Sequence, residues 1–264
     1  MLPKGASRSF FTKMNKLLIS AALLGGLILS VSAADIESGF ISIFNGKDLS
    51  GWDGDSAHWS VKNGVIHAET TADNPIDANT FLIWTNGITR DFVLRLDYKI
   101  TGNNPQKWGN SGIQYRAKRV GDKGWVLHGY QADIDTDLTF TGILYEEGMR
   151  GILSLRGECT ELAGNPEKTM KKLIPHEETT LELVSNALKS AIKQNDWNSY
   201  SVRVETLENG ANRITHTVNG HLLTQVVDAS GKGAAEGLLG LQLHAGPSMA
   251  VEFKNIRLKN LNDK

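Results

Sequence analysis

One cysteine, Cys159, stands in 264 residues, so no intramolecular disulfide can form. Nothing around that thiol supplies a base and an orienting partner, and the sequence gives it no catalytic context. No phosphate loop, dinucleotide fingerprint or serine elbow occurs. The histidines His58, His67, His128, His176, His216 and His221 lack ligand spacing such as His-x-x-x-His. No basic run with interleaved aromatics is present, which argues against a nucleic-acid partner. Internal repeats and linker-like stretches are missing too.

The long apolar run lies at the N-terminus. Lys4, Arg8, Lys13 and Lys16 precede a stretch from Leu17 to Val31, and Val31-Ser32-Ala33 supplies small residues at the cleavage positions. Residues 1–33 read as a secretory signal peptide, with Met14 as a second candidate start. The run is short and weakly flanked for a membrane span, an uncleaved anchor being the alternative. No cysteine follows it, which argues against a lipoprotein anchor. Removing residues 1–33 takes four Lys/Arg and no acid, moving the formal charge from −1 to −5. The mature chain is therefore a mildly acidic exported domain, periplasmic or secreted, off the membrane after cleavage.

What remains is mostly strand. Phe92, Leu94, Leu96, Tyr98 and Ile100 alternate with Val93, Arg95, Asp97 and Lys99, the period of a half-buried strand. Asn63-Gly64 and Asn219-Gly220 each separate two strand-like runs, a strong hairpin signal. Tyr200, Val202 and Val204, then Ile214, His216 and Val218, continue the alternation. Residues 157–176, with Gly157, Gly164, Pro166 and Pro175, read as a loop. Leu181, Val184, Leu188 and Ile192 recur at helical spacing, with Glu177 and Glu178 before them and Lys189 near the end, as a helix dipole prefers. These patterns predict one all-β sandwich domain over residues 35–264, jelly-roll or lectin-like in size, with one peripheral helix.

The central stretch is Gly129 to Asp135. Tyr130, Ala132 and Ile134 share one side of an extended strand, and Gln131, Asp133 and Asp135 the other. Gln114 with Arg116, and Gln242 with His244, repeat that polar-faced pattern. Gln114, Arg116, Gln131, Asp133, Gln242 and His244 on one sheet face would form a polar cleft, and amides and paired ions on rigid strands suit a polyhydroxylated ligand such as a sugar. Asp133, Asp135 and Asp137 alternate as oxygen ligands for Ca²⁺ could, but lack the Gly and Glu of an EF-hand loop, and no other cofactor is evident. Trp108 and Trp125 lie in polar surroundings and are candidate sugar platforms; Trp52, Trp59 and Trp197 read as packing residues. Glu146 and Glu147 cannot both face the cleft if the strand runs through them, and Arg150 can pair with either.

Phe44-Asn45-Gly46-Lys47-Asp48-Leu49-Ser50-Gly51-Trp52, Asp91-Phe92, Asn110-Ser111-Gly112-Ile113, Gly129-Tyr130-Gln131, Asp196-Trp197-Asn198, Asn219-Gly220, Gly240 to His244 and Phe253 to Ile256 occur in this order. Together they resemble the 3-keto-disaccharide hydrolase domain family over nearly the whole mature chain. The resemblance implies a concanavalin-A-like jelly-roll β-sandwich and a 3-keto-sugar substrate. Many members carry Glu where this chain has Gln131 and Gln where it has Asp133, so an acid or base role of that Glu passes here to Asp133 or another group.

A 3-keto sugar changes the chemistry, because the ketone acidifies the C2 proton and opens an eliminative route. That route needs a base at C2, a stabiliser for the enolate and an acid for the leaving oxygen. Ordinary hydrolysis instead needs two carboxyls flanking the bond. His244 is the natural base, and Asp133 the acid or base if the cleft raises its pKa. Arg116 is the candidate electrostatic support or Asp133's ion-pair partner, with Glu146 as a further carboxyl. Gln114, Gln131, Gln242, Tyr145 and Trp108 are the candidate sugar contacts. A non-catalytic lectin-like module is the alternative, and a cell-surface interaction domain a third reading. The sequence leaves the oligomeric state open.

The exported protein is expected to begin at Ala34 or Asp35. Mass spectrometry of the mature protein checks this, and an intact N-terminus in the membrane fraction would overturn it.

Overall fold

A computed structural model of the chain describes residues 39–121, 124–173 and 180–262. The signal segment and the acidic pair Glu177 and Glu178 lie outside the described residues. In chain order the strands are β1 (Ile41–Ser42), β2 (Trp52–Asp53), β3 (Trp59–Lys62), β4 (Val65–Thr70), β5 (Thr80–Trp84), β6 (Phe92–Gly102), β7 (Asn110–Arg119), β8 (Leu127–Asp135) and β9 (Leu144–Glu147). The second half adds β10 (Gly151–Ser154), β11 (Glu158–Leu162), β12 (Met170–Leu173), β13 (Asn198–Thr206), β14 (Asn212–Val218), β15 (His221–Asp228), β16 (Leu238–Leu243) and β17 (Met249–Asn260). One helix, α1 (Leu181–Lys189), lies between β12 and β13.

These strands make the two sheets of a jelly-roll sandwich. The ten-stranded sheet runs β12-β11-β15-β14-β13-β6-β17-β4-β3, with β1 beside β17, and the seven-stranded sheet runs β10-β9-β8-β7-β16-β5-β2. The hairpin signals have a direct cause. Asn63 and Gly64 take φ of 52° and 78°, and Asn219 and Gly220 take 50° and 82°. Two successive residues at positive φ match the twist of the strands that they join.

Alternation decides which side chains meet between the sheets. Phe92, Leu94, Leu96, Tyr98 and Ile100 of β6 all point inward and are buried. Facing them are Ile113, Tyr115, Tyr130, Ala132, Ile134, Leu144, Leu241 and Leu243 of the smaller sheet. Tyr115 stacks on Tyr130 at 5.9 Å and meets Phe92 edge-on at 5.8 Å. The Nδ1–H of His216 donates to the Ile143 carbonyl at 3.2 Å, so its Nε2 accepts from the Tyr115 hydroxyl at 2.8 Å. Burial lowers the His216 pKa to about 4, which keeps this sheet-to-sheet bond neutral.

The helix forms where the apolar spacing predicts it. Thr180 caps it, its Oγ1 accepting from Leu183 N, and Val184 is its buried contact. The expected loop over residues 157–176 holds two strands instead. β11 pairs antiparallel with β12 and parallel with β15. Polar side chains conceal this pairing in the sequence: Glu158 is buried because Leu155 N, Ser154 and Lys171 donate to it, and Thr160 is buried against Ser154.

β7 carries the break that matters most. Tyr115 pairs with Tyr130 and Lys118 with His128, leaving extra residues on β7 opposite Gly129. Arg116 occupies the bulge at φ 45°. The extra residue reverses side-chain parity, so Arg116 leaves the face of Gln114 and reaches toward the ends of the larger sheet. It donates to Asp91 at 2.8 Å, Asn212 at 2.7 Å, Thr206 at 3.3 Å and the carbonyls of Arg90 and Ala234. The predicted Arg116–Asp133 ion pair does not form; Asp91 is the partner.

Arg116→Ala is expected to lower the unfolding free energy by about 3–5 kcal/mol, the cost of breaking a buried pair from one side. Urea denaturation measures it. A loss below about 1 kcal/mol would show that the guanidinium does not hold the sheets together.

Candidate functional site

The outer face of the seven-stranded sheet carries the candidate cleft. Gln114 pairs with Gln131, Gln131 with Tyr145 and Tyr145 with Ile152, so these four form one row across β7, β8, β9 and β10. Asp133 follows two residues along β8 on the same face. A pocket of about 250 Å³ opens over this surface. Gln131, Asp133, Tyr145, Glu147, Asn110, Asn79 and His244 form its polar part, and Phe140, Ile143 and Ile152 its apolar part.

The floor is a hydrogen-bonded network. Gln242 Nε2 donates to Gln131 Oε1 at 3.0 Å and reaches Glu147 Oε2 at 3.4 Å. Ser111 Oγ fixes the Gln242 backbone by donating to its carbonyl at 2.7 Å. Gly112 makes room for this layer: a Cβ there would lie 2.6 Å from the Gln131 side chain. Past the end of β16, His244 Nδ1 lies 2.5 Å from the Ala245 carbonyl. A carbonyl only accepts, so Nδ1 carries the proton and Nε2 is the basic nitrogen. Asn79 secures the same turn by accepting from Ala245 N, and Trp108 packs edge-on against the imidazole at 5.4 Å.

Asp133 has hydrogen-bond donors but no cation. Asn110 Nδ2 and Ile134 N both donate to its Oδ1 at 3.0 Å, and it forms no ion pair among the described residues. Burial pushes its pKa well above the ordinary carboxylate range, outweighing the Asn110 bond, and the charges of Asp135 and Glu147 push the same way. Glu147 is raised as well, by burial, against the pull of His244 and His128. Tyr145 is raised by burial and by the nearby carboxylates.

Several predicted site residues meet in this pocket, and others stand elsewhere. Asp133, His244, Gln131 and Tyr145 line it together. Trp108 stands behind His244 rather than in the lining. Gln114 and Gln242 share the face but are fully buried, so neither offers surface to a sugar; Gln114 donates to the Gly129 carbonyl. Arg116 is turned away by the bulge. Glu146 is also excluded: it pairs across the strands with inward-facing Tyr130 and is salt-bridged to Arg150. The parity argument holds, and Glu147 is the member of that pair in the cleft. Trp125 covers a small apolar cluster of Phe81, Ile83, Ala117 and Leu127, donating to Asp53 at 2.7 Å.

The aspartate series does not converge on a cation. Asp135 Oδ2 accepts from the backbone N–H of Thr139 and Phe140, and Oδ1 from Thr141 N and Oγ1. Among the described residues, no group of three His, Cys, Asp or Glu side chains has metal-holding geometry. The sequence signal that would have found Glu147 was the partner of its neighbour: Arg150, four residues after Glu146, claims Glu146.

A family model described as a 3-keto-alpha-glucoside-1,2-lyase-like domain matches residues 39–259. The chain belongs to that family. No curated protein matches it. The sandwich is similar to a candidate glycosyl hydrolase from Parabacteroides distasonis ATCC 8503, at 17% identity and a TM-score of 0.52, covering 85% of this chain and 100% of that one. It is also similar to the carbohydrate-binding module CBM66 from Bacillus subtilis, at 15% identity and 0.49, covering 80% and 96%. Alginate lyase Aly36B follows at 12% identity and 0.42, covering 86% and 94%. At such identities the likeness shows the fold alone.

A carboxyl whose folded-state pKa is raised lowers stability as pH climbs. Above about pH 4 the unfolded chain releases this proton while folded Asp133 keeps it, so stability falls between the two pKa values. Asp133→Asn removes that titration and retains the accepting Oδ1. The variant is expected to melt above wild type at about pH 7, the gap closing towards about pH 4. Melting curves across that range check it, and a variant no more stable than wild type at neutral pH would contradict a neutral buried Asp133.

Proposed function

We propose that this member of the 3-keto-alpha-glucoside-1,2-lyase-like domain family is an exported enzyme that cleaves 3-keto-glycosides by elimination, with His244 and Asp133 as its acid–base pair. The observation that carries the reading is that both groups line one pocket. Nδ1 of His244 faces the Ala245 carbonyl, which leaves Nε2 as the nitrogen for the substrate. Burial outweighs the hydrogen bonds of Asp133 and raises its pKa, which favours its role as the acid.

The steps follow from that division of labour. His244 Nε2 takes the C2 proton, which the neighbouring C3 ketone acidifies. The electron pair passes through the C2–C3 enolate and forms the C1–C2 double bond. The C1–O bond breaks, and the leaving oxygen takes the Asp133 proton. The products are a 3-keto glycal and a free alcohol; addition of water across the new double bond would complete a net hydrolysis. Gln131, Asn110 and Asn79 offer amides to ring hydroxyls, and Tyr145 offers a ring face or a hydroxyl. Glu147, fixed by Gln242, is the second carboxyl within the pocket. Arg116 does not supply the electrostatic support, and no Lys or Arg is among the described residues of the pocket.

Purified protein is to be incubated with 3-keto-disaccharides and their unoxidised parents, and the products followed by NMR. The 3-keto substrates alone are expected to be cleaved. His244→Ala and Asp133→Asn should each lose about 10²–10⁴-fold in rate while remaining folded. Gln242→Ala should weaken binding by loosening Gln131 and Glu147. Full turnover by His244→Ala would move the base to Glu147. Wild-type protein that binds sugars and cleaves none would establish the lectin-like alternative.

A further inference from the structure

The pocket changes character from one side to the other. The row across β7 to β10 reads Gln114, Gln131, Tyr145, Ile152: two amides, a phenol, then an aliphatic side chain on the edge strand. The acid–base groups sit on the amide side. The far side has two large apolar side chains open to solvent, Ile152 at 47% exposure and Phe140 at 38%, with Ile143 buried between the apolar wall and the core. Both line the same pocket, so their exposed surface forms one apolar wall rather than scattered residues.

The loop that presents Phe140 is tightly clamped. Asp135 accepts from the backbone N–H of Thr139, Phe140 and Thr141. Arg156, itself buried, donates to the carbonyls of Leu138 and Thr141 at 2.6 Å each. Ile143 N closes the turn on the Phe140 carbonyl at 3.0 Å. The aromatic ring is thus held at the lip by a preorganised loop, which removes much of the ordering cost of a contact there.

We propose that the apolar side of the pocket is an aglycone subsite for a neutral aromatic group, so that the preferred substrates are aryl glycosides rather than disaccharides. The inference rests on the reading of the polar side as the sugar site. A second sugar placed over Ile152 and Phe140 would present hydroxyls to side chains with no donor or acceptor, whereas an aromatic ring would bury its faces and edges against them. Among the described residues the pocket has two carboxyls and no Lys or Arg, which disfavours an anionic leaving group. Tyr145 stands at the crossover, next to Gln131 on one strand and Ile152 on the other, where the glycosidic oxygen would lie.

Two measurements on the full chain separate this inference from the function on which it rests. Isothermal titration with phenyl glucosides and methyl glucosides of both anomers reads the aglycone preference without any chemistry. Steady-state kinetics then compares the 3-keto forms of a phenyl glucoside and of a disaccharide. Wild type is expected to bind the phenyl compound about tenfold or more tightly than the methyl one, and to prefer it in kcat/KM over the disaccharide by a similar factor. Ile152→Ser and Phe140→Ala, both at exposed positions, should cut these ratios by about tenfold. Equal treatment of phenyl and methyl compounds, or no binding of either, would overturn the subsite even if 3-keto-disaccharides are cleaved. Equal losses on both substrate types in the variants would overturn it as well. A phenyl preference abolished by these variants, with no 3-keto-glycoside cleaved, would establish the subsite and defeat the catalytic reading.

Discussion

The bulge at Arg116 sets the closure of the sandwich and turns its cation away from the cleft face. Holding a non-glycine residue at φ 45° costs about 1–3 kcal/mol. That cost is offset where the guanidinium arrives: it joins the segment before β6 to the end of β13, the start of β14 and the loop before β16. A hydrogen bond to a charged group contributes about 1.5–3 kcal/mol, and Arg116 makes five through its side chain. With regular pairing instead, Arg116 would have stood opposite Gly129 on the face of Gln114, its charge on the cleft side of the sheet.

The two carboxyls of the pocket stand in different environments. Asp133 sees an amide, a backbone N–H and two like charges, and burial raises its pKa well above the ordinary carboxylate range. Glu147 is less buried and feels the attraction of His244 and His128. Two carboxyls of one pocket thus differ in what holds their protons. The core beneath remains neutral for a related reason: His216 titrates only at about 4, so its bond to Tyr115 does not place a charge under the cleft.

How much of this was readable before the fold depended on period. Strand alternation placed Gln114, Gln131, Asp133 and Gln242 on one face, and Asn-Gly turns located two hairpins, because both rules are local. Helical spacing found α1 for the same reason. Arg116 defeated the parity rule because a bulge shifts register without any mark in the residue itself; Arg is not the Gly that usually signals positive φ. β11 and β12 were hidden because Glu158 and Thr160 are buried through specific polar partners rather than through apolar side chains. Gln114 and Gln242 were placed on the right face, but depth below that face is a tertiary property. The small cluster under Trp125 covers one end of the sheet.

The division of roles between strands and loops explains how a carboxyl can change position here. Residues 131 and 133 both point into the cleft, two steps apart on a strand hydrogen-bonded to β7 and β9 on its two sides. This chain has the amide at the first of these positions and the carboxyl at the second. Exchanging them would move the carboxyl by about 6.6 Å along the strand without turning it out of the pocket, since side chains of period two return to the same face. At position 131 the side chain lies against Gln242, which also contacts Glu147. At position 133 it lies against Asn110 and away from that network. A rigid strand thus offers a carboxyl two addresses on one face. Here Asp133 takes its hydrogen bond from Asn110 and Glu147 from Gln242, so the two carboxyls do not compete for the same amide.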